Sequence, residues 1–278
     1  MNLYPVLAGY FKLDGGAMFG VVPKTIWNAL NPADERNLCT WALRCLLVEQ
    51  GNKRVLIDCG LGNKQEEKFF RHYEPHGGSL QESLQRLGIG PADITDVVLT
   101  HLHFDHCGGA VERINDTLLP AFPQATYHIH RSQWVWALQP NAREKASFLK
   151  ENFLPLEASG RLNLVDDQGT ICEGFSYQTV YGHTEAMVLP VLQWKGRTVV
   201  YMADLIPSAA HVPLPYVMAY DIRPLVTLQE KQELLEQAAS EQFILFFEHD
   251  PQTEACTVRR TDKGFAVDQR FRLSDLAS

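Results

Sequence analysis

Ten residues, Thr100 to Gly109, read THLHFDHCGG and place His101, His103, Asp105 and His106 directly after the apolar run Val97-Val98-Leu99. Neutral imidazoles with a carboxylate suit borderline or harder divalent ions such as Zn²⁺, Mn²⁺, Fe²⁺ or Co²⁺. A lone histidine at a strand edge is most often structural, but three histidines and an aspartate at this spacing point to metal binding. Three more residues of the same kind close apolar runs elsewhere. FSYQTVYG leads into His183, RTVVYMA into Asp204 and FILFFE into His249. No matching cysteine ligand joins them, which removes the usual sign of a purely structural zinc site.

Strand ends at one edge of a layered fold can aim side chains from distant positions at one point. The sequence supplies such strands. Trp41–Gln50 and Lys53–Gly60 are β-like runs around a Gly51-Asn52 turn, and Lys195-Gly196 turns a second hairpin within Val188–Asp204. Leu80, Leu84 and Leu87 share one face over Ser79–Gly88, with Ser79 placed to cap a helix and Gly88 to end it. CGGAVERI predicts a helix starting at the glycines, and ATYHIHRSQW a strand passing into a helix. Trp134–Phe153 predicts helix in two pieces around Pro140, either fixed or able to move as a lid. Gln229–Gln237 predicts a helix with a solvated outer face. Strands alternate with helices, but the hairpins argue against a purely parallel sheet. The expected class is α/β, with mixed sheets packed as a sandwich under outer helices. No repeat, low-complexity tract or linker interrupts residues 1–278, so one domain is expected.

Bulk properties narrow the partners. A formal net charge of −8 argues against a general nucleic-acid binder. The six cysteines are scattered without a CxxC pair and read as buried thiols of a reducing compartment. No basic segment followed by an apolar one opens the chain, and no apolar run approaches the ~18 residues that span a bilayer. A cytoplasmic, soluble protein without membrane contact is expected. Oligomeric state is left open, a homodimer being one option.

THLHFDHCGG resembles the HxHxDH signature of the metallo-β-lactamase superfamily. YGHTE, MAD and FEHD are similar to its later motifs in the same order, and VLIDCGLG to the strand and Asp-x-Gly turn before the signature. The resemblance runs from about Trp41 to about His249. It implies a four-layer αββα sandwich holding two divalent metal ions, zinc foremost. His101, His103 and His183 would take one ion. Asp105, His106 and His249 would take the other, Asp204 would bridge both, and Asp58 would orient a ligand imidazole. Two ions roughly 3.5–4 Å apart can share a bridging hydroxide and polarise the carbonyl or phosphoryl oxygen it attacks. Asp105 would act as the catalytic proton shuttle to the leaving oxygen. Gly108 and Gly109 would let the next helix start close against the site.

The fold alone does not set the substrate. Asp204 stands where the best-known zinc β-lactamases carry cysteine. The stretch from His106 to His183 is too short for the inserted domain of the RNA-processing members. No long helical domain follows His249, and GHTEAM lacks a second histidine, which counts against a glyoxalase II. Two segments resemble the quorum-quenching lactonases: Asp14–Trp27, as a loop over the pocket, and ADLIPSAAHVPLPYVMAYD, Ala203–Asp221. Organophosphate hydrolases share parts of both. On this reading Met18, Phe19, Val21, Val22 and Trp27 line an apolar channel. No tyrosine directly follows Asp204, so His211 or Tyr216 is the candidate to polarise the substrate. Lys24 and Arg223 are the only obvious cations near the site, which favours a neutral small-molecule ester, a lactone of the acyl homoserine type. A phosphotriesterase or phosphodiesterase on the same site, or a non-catalytic metal-binding sensor, are the alternatives. His128 and His130 share a strand face and read as structural. His72 and His76 lie in a polar loop, and Trp134 and Trp136 read as helix packing.

Overall fold

The computed structural model describes residues 1–276. The first strands are β1 (Asn2–Asp14), β2 (Leu38–Gln50), β3 (Lys53–Ile57) and β4 (Asp96–Val98). A small hairpin, β5 (Val111–Ile114) and β6 (Thr117–Pro120), precedes β7 (Thr126–His130) and β8 (Leu162–Val165). Then come β9 (Gln168–Cys172), β10 (Phe175–Val180), β11 (Met187–Trp194) and β12 (Arg197–Tyr201). The last are β13 (Ile244–Phe246), β14 (Ala255–Thr261) and β15 (Gly264–Phe271). One sheet has the order β1-β2-β3-β4-β7-β8 and the other β15-β14-β13-β12-β11-β10-β9. Both are mixed. In the first, β3, β4, β7 and β8 run parallel beside an antiparallel β1-β2-β3 meander, and in the second β12 and β13 form the parallel pair.

Alternation along the strands builds the layers. Leu46, Val48, Val55, Ile57 and Val98 face the second sheet and pack with residues such as Leu189, Val200 and Leu245. Their neighbours Cys45, Leu47, Leu56, Val97 and Leu99 point to the opposite face, toward Leu80 and Leu84 of one helix and Trp134 and Ala137 of another. A strand buried on both faces reads as a continuous apolar run, as LLV and VVL do here. Helix Pro224–Glu241 covers the far face of the second sheet with Leu234, Leu235 and Ala238. The architecture is the expected helix–sheet–sheet–helix sandwich. The two turns also match: Gln50 pairs with Lys53 around Gly51 (φ 60°), and Trp194 with Arg197 around Lys195 and Gly196, both at positive φ.

Other local expectations need correction. Helix Leu80–Arg86 is capped by the Ser79 hydroxyl, which accepts from the Glu82 amide at 3.2 Å, but Leu87 lies outside it and is exposed. The helix expected to start at the glycines instead precedes them, Phe104–Cys107, and Gly108–Ala110 is a single tight turn into β5. The reason is contact. A Cβ on Gly108 would overlap the Leu61 carbonyl oxygen, and one on Gly109 that of Cys59. The missing side chains let the loop after β3 bind this turn, with Cys59 N donating to His106 O at 2.7 Å and Gly109 N to Gly60 O at 3.0 Å. Trp134–Phe153 is helical only as far as Leu138 and at Lys150–Asn152, with turns between. The Asp14–Trp27 segment forms two short helices, Gly15–Phe19 and Lys24–Trp27, on an aromatic cluster with Phe11 and Trp41.

Helix Pro224–Glu241 is not solvated all round. Lys231 lies on its buried stripe, and its ammonium donates to the carbonyls of Pro213, Leu214 and Tyr216 at 2.7, 3.3 and 3.0 Å. The six cysteines are free, and all but Cys172 are buried. Among the described residues no helix is long and apolar enough to cross a membrane.

Gly108→Ala is expected to cost about 1–3 kcal/mol by overpacking a backbone contact that has no flexible side chain to yield. Urea unfolding of the variant checks this. Gly108 has an ordinary helical φ of −57°, so relief of strain cannot offset the clash.

Candidate metal centre

Four ligand-type residues share one placement rule. His101 follows the end of β4 by three residues, His183 that of β10, Asp204 that of β12 and His249 that of β13. The strand ends meet at one edge of the sandwich, where the sheets are tied directly. Val188 N donates to Thr100 O at 2.8 Å, Ala42 N to His249 O at 3.0 Å and Arg44 N to Glu248 O at 3.0 Å. The remaining three ligand types come from the short segment His103–His106 held by the two glycines.

All seven residues are buried and converge. His101, His103, His183 and Asp204 form one group, and Asp105, His106 and His249 another, each with donor atoms within 4.8 Å of one another. In the first, His103 Nδ1 stands 3.0 Å from His101 Nε2 and 3.2 Å from His183 Nε2. In the second, His249 Nε2 stands 3.2 Å from His106 Nε2, with Asp105 Oδ2 at 3.8 and 3.9 Å from these two nitrogens. Asp204 faces both. Its Oδ2 is 3.0 Å from His183 Nε2 and 4.0 Å from His101 Nε2, while its Oδ1 is 3.1 Å from His249 Nε2 and 3.5 Å from His106 Nε2.

Four of the five outer ring nitrogens are engaged elsewhere, and the fifth, His103 Nε2, makes no hydrogen bond among the described residues. His183 Nδ1 meets Asp221 at 2.8 Å, His249 Nδ1 the Ala42 carbonyl at 2.8 Å, and His101 Nδ1 the Thr100 hydroxyl at 3.1 Å. His106 Nδ1 lies between Asp58, at 3.1 Å, and Glu248, at 2.9 Å. His103 Nε2 is 3.5 Å from Glu144. An imidazole that donates outward turns a bare lone pair inward. The donor set therefore fits cations. Four ligands around a tetrahedral zinc stand about 3.3 Å apart, near the nitrogen–nitrogen spacings seen here. Asp204 Oδ1 is buried and accepts no hydrogen bond, as an oxygen reserved for a cation would be.

Asp58 occupies the expected orienting place, fixed by the Thr100 amide at 2.8 Å and hydroxyl at 2.7 Å. Glu144, Asp221 and Glu248 were not anticipated. Asp221 and Glu248 stand in segments already singled out, YD and FEHD, but Glu144 carries no local signal. It accepts from Trp136 Nε1 at 2.8 Å, Asn141 Nδ2 at 2.5 Å and Thr184 Oγ1 at 2.6 Å, so Trp134–Phe153 is latched to the site by its middle.

The adjoining cavity, about 270 Å³, is lined by Leu13, Met18, Phe104, Met218 and Tyr220 beside the cluster. Of the expected channel residues only Met18 lines it. Phe19, Val22 and Trp27 are packed inside the aromatic cluster, and Val21 is exposed. Neither His211 nor Tyr216 lines the cavity. His211 is spent between Ser208 Oγ, at 2.7 Å, and the Met18 carbonyl, at 3.0 Å, and burial holds its pKa near 3. Lys24 sits over Trp27, and Arg223 pairs with Glu185 at 2.6 Å. His128 and His130 are structural, bound to Asp96 at 2.8 Å and Asp167 at 3.1 Å.

A mixed-sheet sandwich with such a cluster at its edge defines a metal-dependent hydrolase. A family model described as Metallo-beta-lactamase superfamily matches residues 44–249, and the chain belongs to that superfamily. It is 24% identical over 274 residues to N-acyl homoserine lactonase AiiA of Bacillus thuringiensis subsp. kurstaki, covering 92% of this chain and 96% of that protein. A probable metal-dependent hydrolase from Staphylococcus aureus superposes with a TM-score of 0.89 at 29% identity, over 97% of this chain and 96% of that one. AidC, a dizinc quorum-quenching lactonase in complex with a product, N-hexnoyl-L-homoserine, gives 0.81 at 25% identity, over 97% and 95%.

Burial opposes charge on the histidines, but the carboxylates outweigh it at three of them. Asp204 and Asp221 raise the His183 pKa to about 10, Asp204 and Glu248 raise that of His249 to about 9, and His106 also lies well above its usual value. Protons thus hold these sites in the metal-free protein, and a metal must displace them. Affinity for zinc is expected to rise with pH until about 9–10, where His249 and His183 lose their protons. Calorimetry in buffers of different ionisation enthalpy should show proton release on loading, and affinity flat across pH 6–9 would contradict it.

Proposed function

We propose that this protein is a dinuclear hydrolase of a small neutral ester, a lactone of the acyl homoserine class. The observation that carries the reading is Asp204, whose two oxygens address two separate imidazole groups. His101, His103 and His183 would hold one ion, Asp105, His106 and His249 the other, and Asp204 both. Zinc is the first candidate, given AidC. Two divalent ions bound there supply an activated water at neutral pH and Lewis acidity toward the carbonyl oxygen.

The chain's own residues do the rest. Asp105 lines the cavity and is placed to take a proton and return it to the leaving oxygen. Tyr220 lines the same cavity and is a better candidate than His211 or Tyr216 to donate a hydrogen bond to the substrate carbonyl. Leu13, Met18, Phe104 and Met218 offer an apolar surface to an acyl group and exclude water. The lactone assignment draws on AiiA and AidC, whose names state that activity. We also take residues 1–278 as one domain, and free thiols as fitting a reducing cytoplasm.

Adding N-hexanoyl homoserine lactone to zinc-loaded protein should release acid, and His103→Ala should abolish it while leaving the far-ultraviolet circular dichroism unchanged. Asp105→Asn should lower kcat by about 10²-fold or more. No acid from the wild type would refute the lactone assignment. Equal acid from His103→Ala would refute the site.

A further inference from the structure

The cavity beside the cluster is rich in carboxylates, with Asp105, Glu144 and Asp204 in its lining, yet only one lysine or arginine lines it, Arg143. This residue was not expected there. Its backbone is set by a turn: Asn141 Oδ1 accepts from the amides of Arg143 at 2.8 Å and Glu144 at 3.1 Å. Glu144 is in turn held by Trp136, Asn141 and Thr184. On the side-chain side, Arg143 Nη2 donates to the carbonyl oxygens of Ala219 and, at 3.3 Å, Asp221. The guanidinium therefore spans from the 141–147 segment to the loop that brings Met218, Ala219 and Tyr220 to the same cavity.

That anchoring uses one of the three guanidinium nitrogens. A guanidinium carries five N–H donors in a rigid fork. No carboxylate pairs with Arg143 among the described residues, and its Nε and Nη1 have no protein partner there. Arg143 is exposed, but it is fixed at one end by two carbonyls, lacks a carboxylate partner and lies in the lining of a cavity of carboxylates and apolar groups, so its free N–H groups can meet an acceptor that arrives with the ligand. The other two cations near the site are not free in this way. Lys24 lies over Trp27 outside the cavity lining, and Arg223 is bonded to Glu185 and the Tyr181 carbonyl.

We propose that Arg143 determines specificity by binding a second carbonyl-type oxygen of the substrate, remote from the bond that is cleaved. Resting on the hydrolase reading, and departing from its neutral ester only where the acceptor is a carboxylate, this restricts the substrate to esters whose acyl part carries an amide or ketone carbonyl, or a carboxylate. A plain alkanoate ester leaves the fork unsatisfied.

Three 4-nitrophenyl esters test it on the zinc-loaded protein: the butanoate, the N-acetylglycinate and the hemisuccinate. Wild type is expected to favour one or both acceptor-bearing esters over the butanoate by about tenfold or more in kcat/KM, mainly through KM. In Arg143→Met that ratio falls to about one, and Arg143→Lys, which keeps the charge but not the fork, retains part of it. Preference for the N-acetylglycinate alone identifies a neutral carbonyl partner, and preference for the hemisuccinate alone identifies a carboxylate. A ratio near one in wild type, or one unchanged in Arg143→Met, overturns the proposal. So does an equal loss on all three esters, which marks a merely structural arginine. Calorimetry with butyrate, N-acetylglycine and succinate reads the same discrimination without turnover. Discrimination by binding in a protein that hydrolyses neither these esters nor N-hexanoyl homoserine lactone would overturn the hydrolase reading and leave Arg143 as the recognition residue. Equal binding of the three acids would overturn the Arg143 assignment.

Discussion

A single carboxylate has to satisfy two groups of imidazoles, and much of the architecture follows from that demand. Asp204 Oδ2 lies 3.0 Å from His183 and Oδ1 lies 3.1 Å from His249, although these histidines follow β10 and β13, strands separated in the sheet by β11 and β12. Delivering both to one side chain requires that the strands end at the same edge of the sheet. A three-residue overhang beyond β4, β10, β12 and β13 achieves it. The parallel β12–β13 pair sets Asp204 beside His249, and the parallel β3–β4 pair sets Asp58 beside Thr100. Parallel neighbours end at the same edge, so their following residues are brought together without a hairpin.

Burying such a cluster is costly unless every polar group has a partner. The fold meets most of this with a shell of acceptors behind the histidines: Asp58 and Glu248 on His106, Asp221 on His183, the Ala42 carbonyl on His249 and Glu144 near His103, while His103 Nε2, Asp221 Oδ2 and Glu248 Oε1 keep no hydrogen-bond partner among the described residues. Those acceptors come from five separate stretches of chain. The same shell is what joins the outlying segments to the centre. Glu144 ties the 134–153 segment to His103, Asp221 ties the 218–221 loop to His183, and Arg143 ties these two segments to each other. The cavity walls are thus extensions of the shell around the histidine cluster and not independent loops.

The convergence of these seven histidines and aspartates was legible because it combines local spacing with a type signal, histidine or aspartate after an apolar run. Both hairpins were legible because positive φ at Gly51 and Gly196 calls for glycine. What the sequence could not show was long-range placement. Nothing around Glu144 distinguishes it from any solvated glutamate in NAREKAS, and its role depends on a tertiary contact with His103 and Thr184. His211 reads as a free imidazole near the site, yet the fold commits both of its nitrogens to Ser208 and Met18. The helix expected after Cys107 failed for a related reason. Gly-Gly there serves close approach of the Cys59–Leu61 backbone, a need invisible without the partner loop.

The most direct measurement of the central claim is the number of zinc ions held per chain after equilibrium dialysis, in wild type and in Asp204→Ala. If Asp204 bridges two ions, wild type retains about two per chain and the variant loses affinity for both. Saturation of the wild type at one ion, or two ions held by Asp204→Ala with unchanged affinity, would contradict the account.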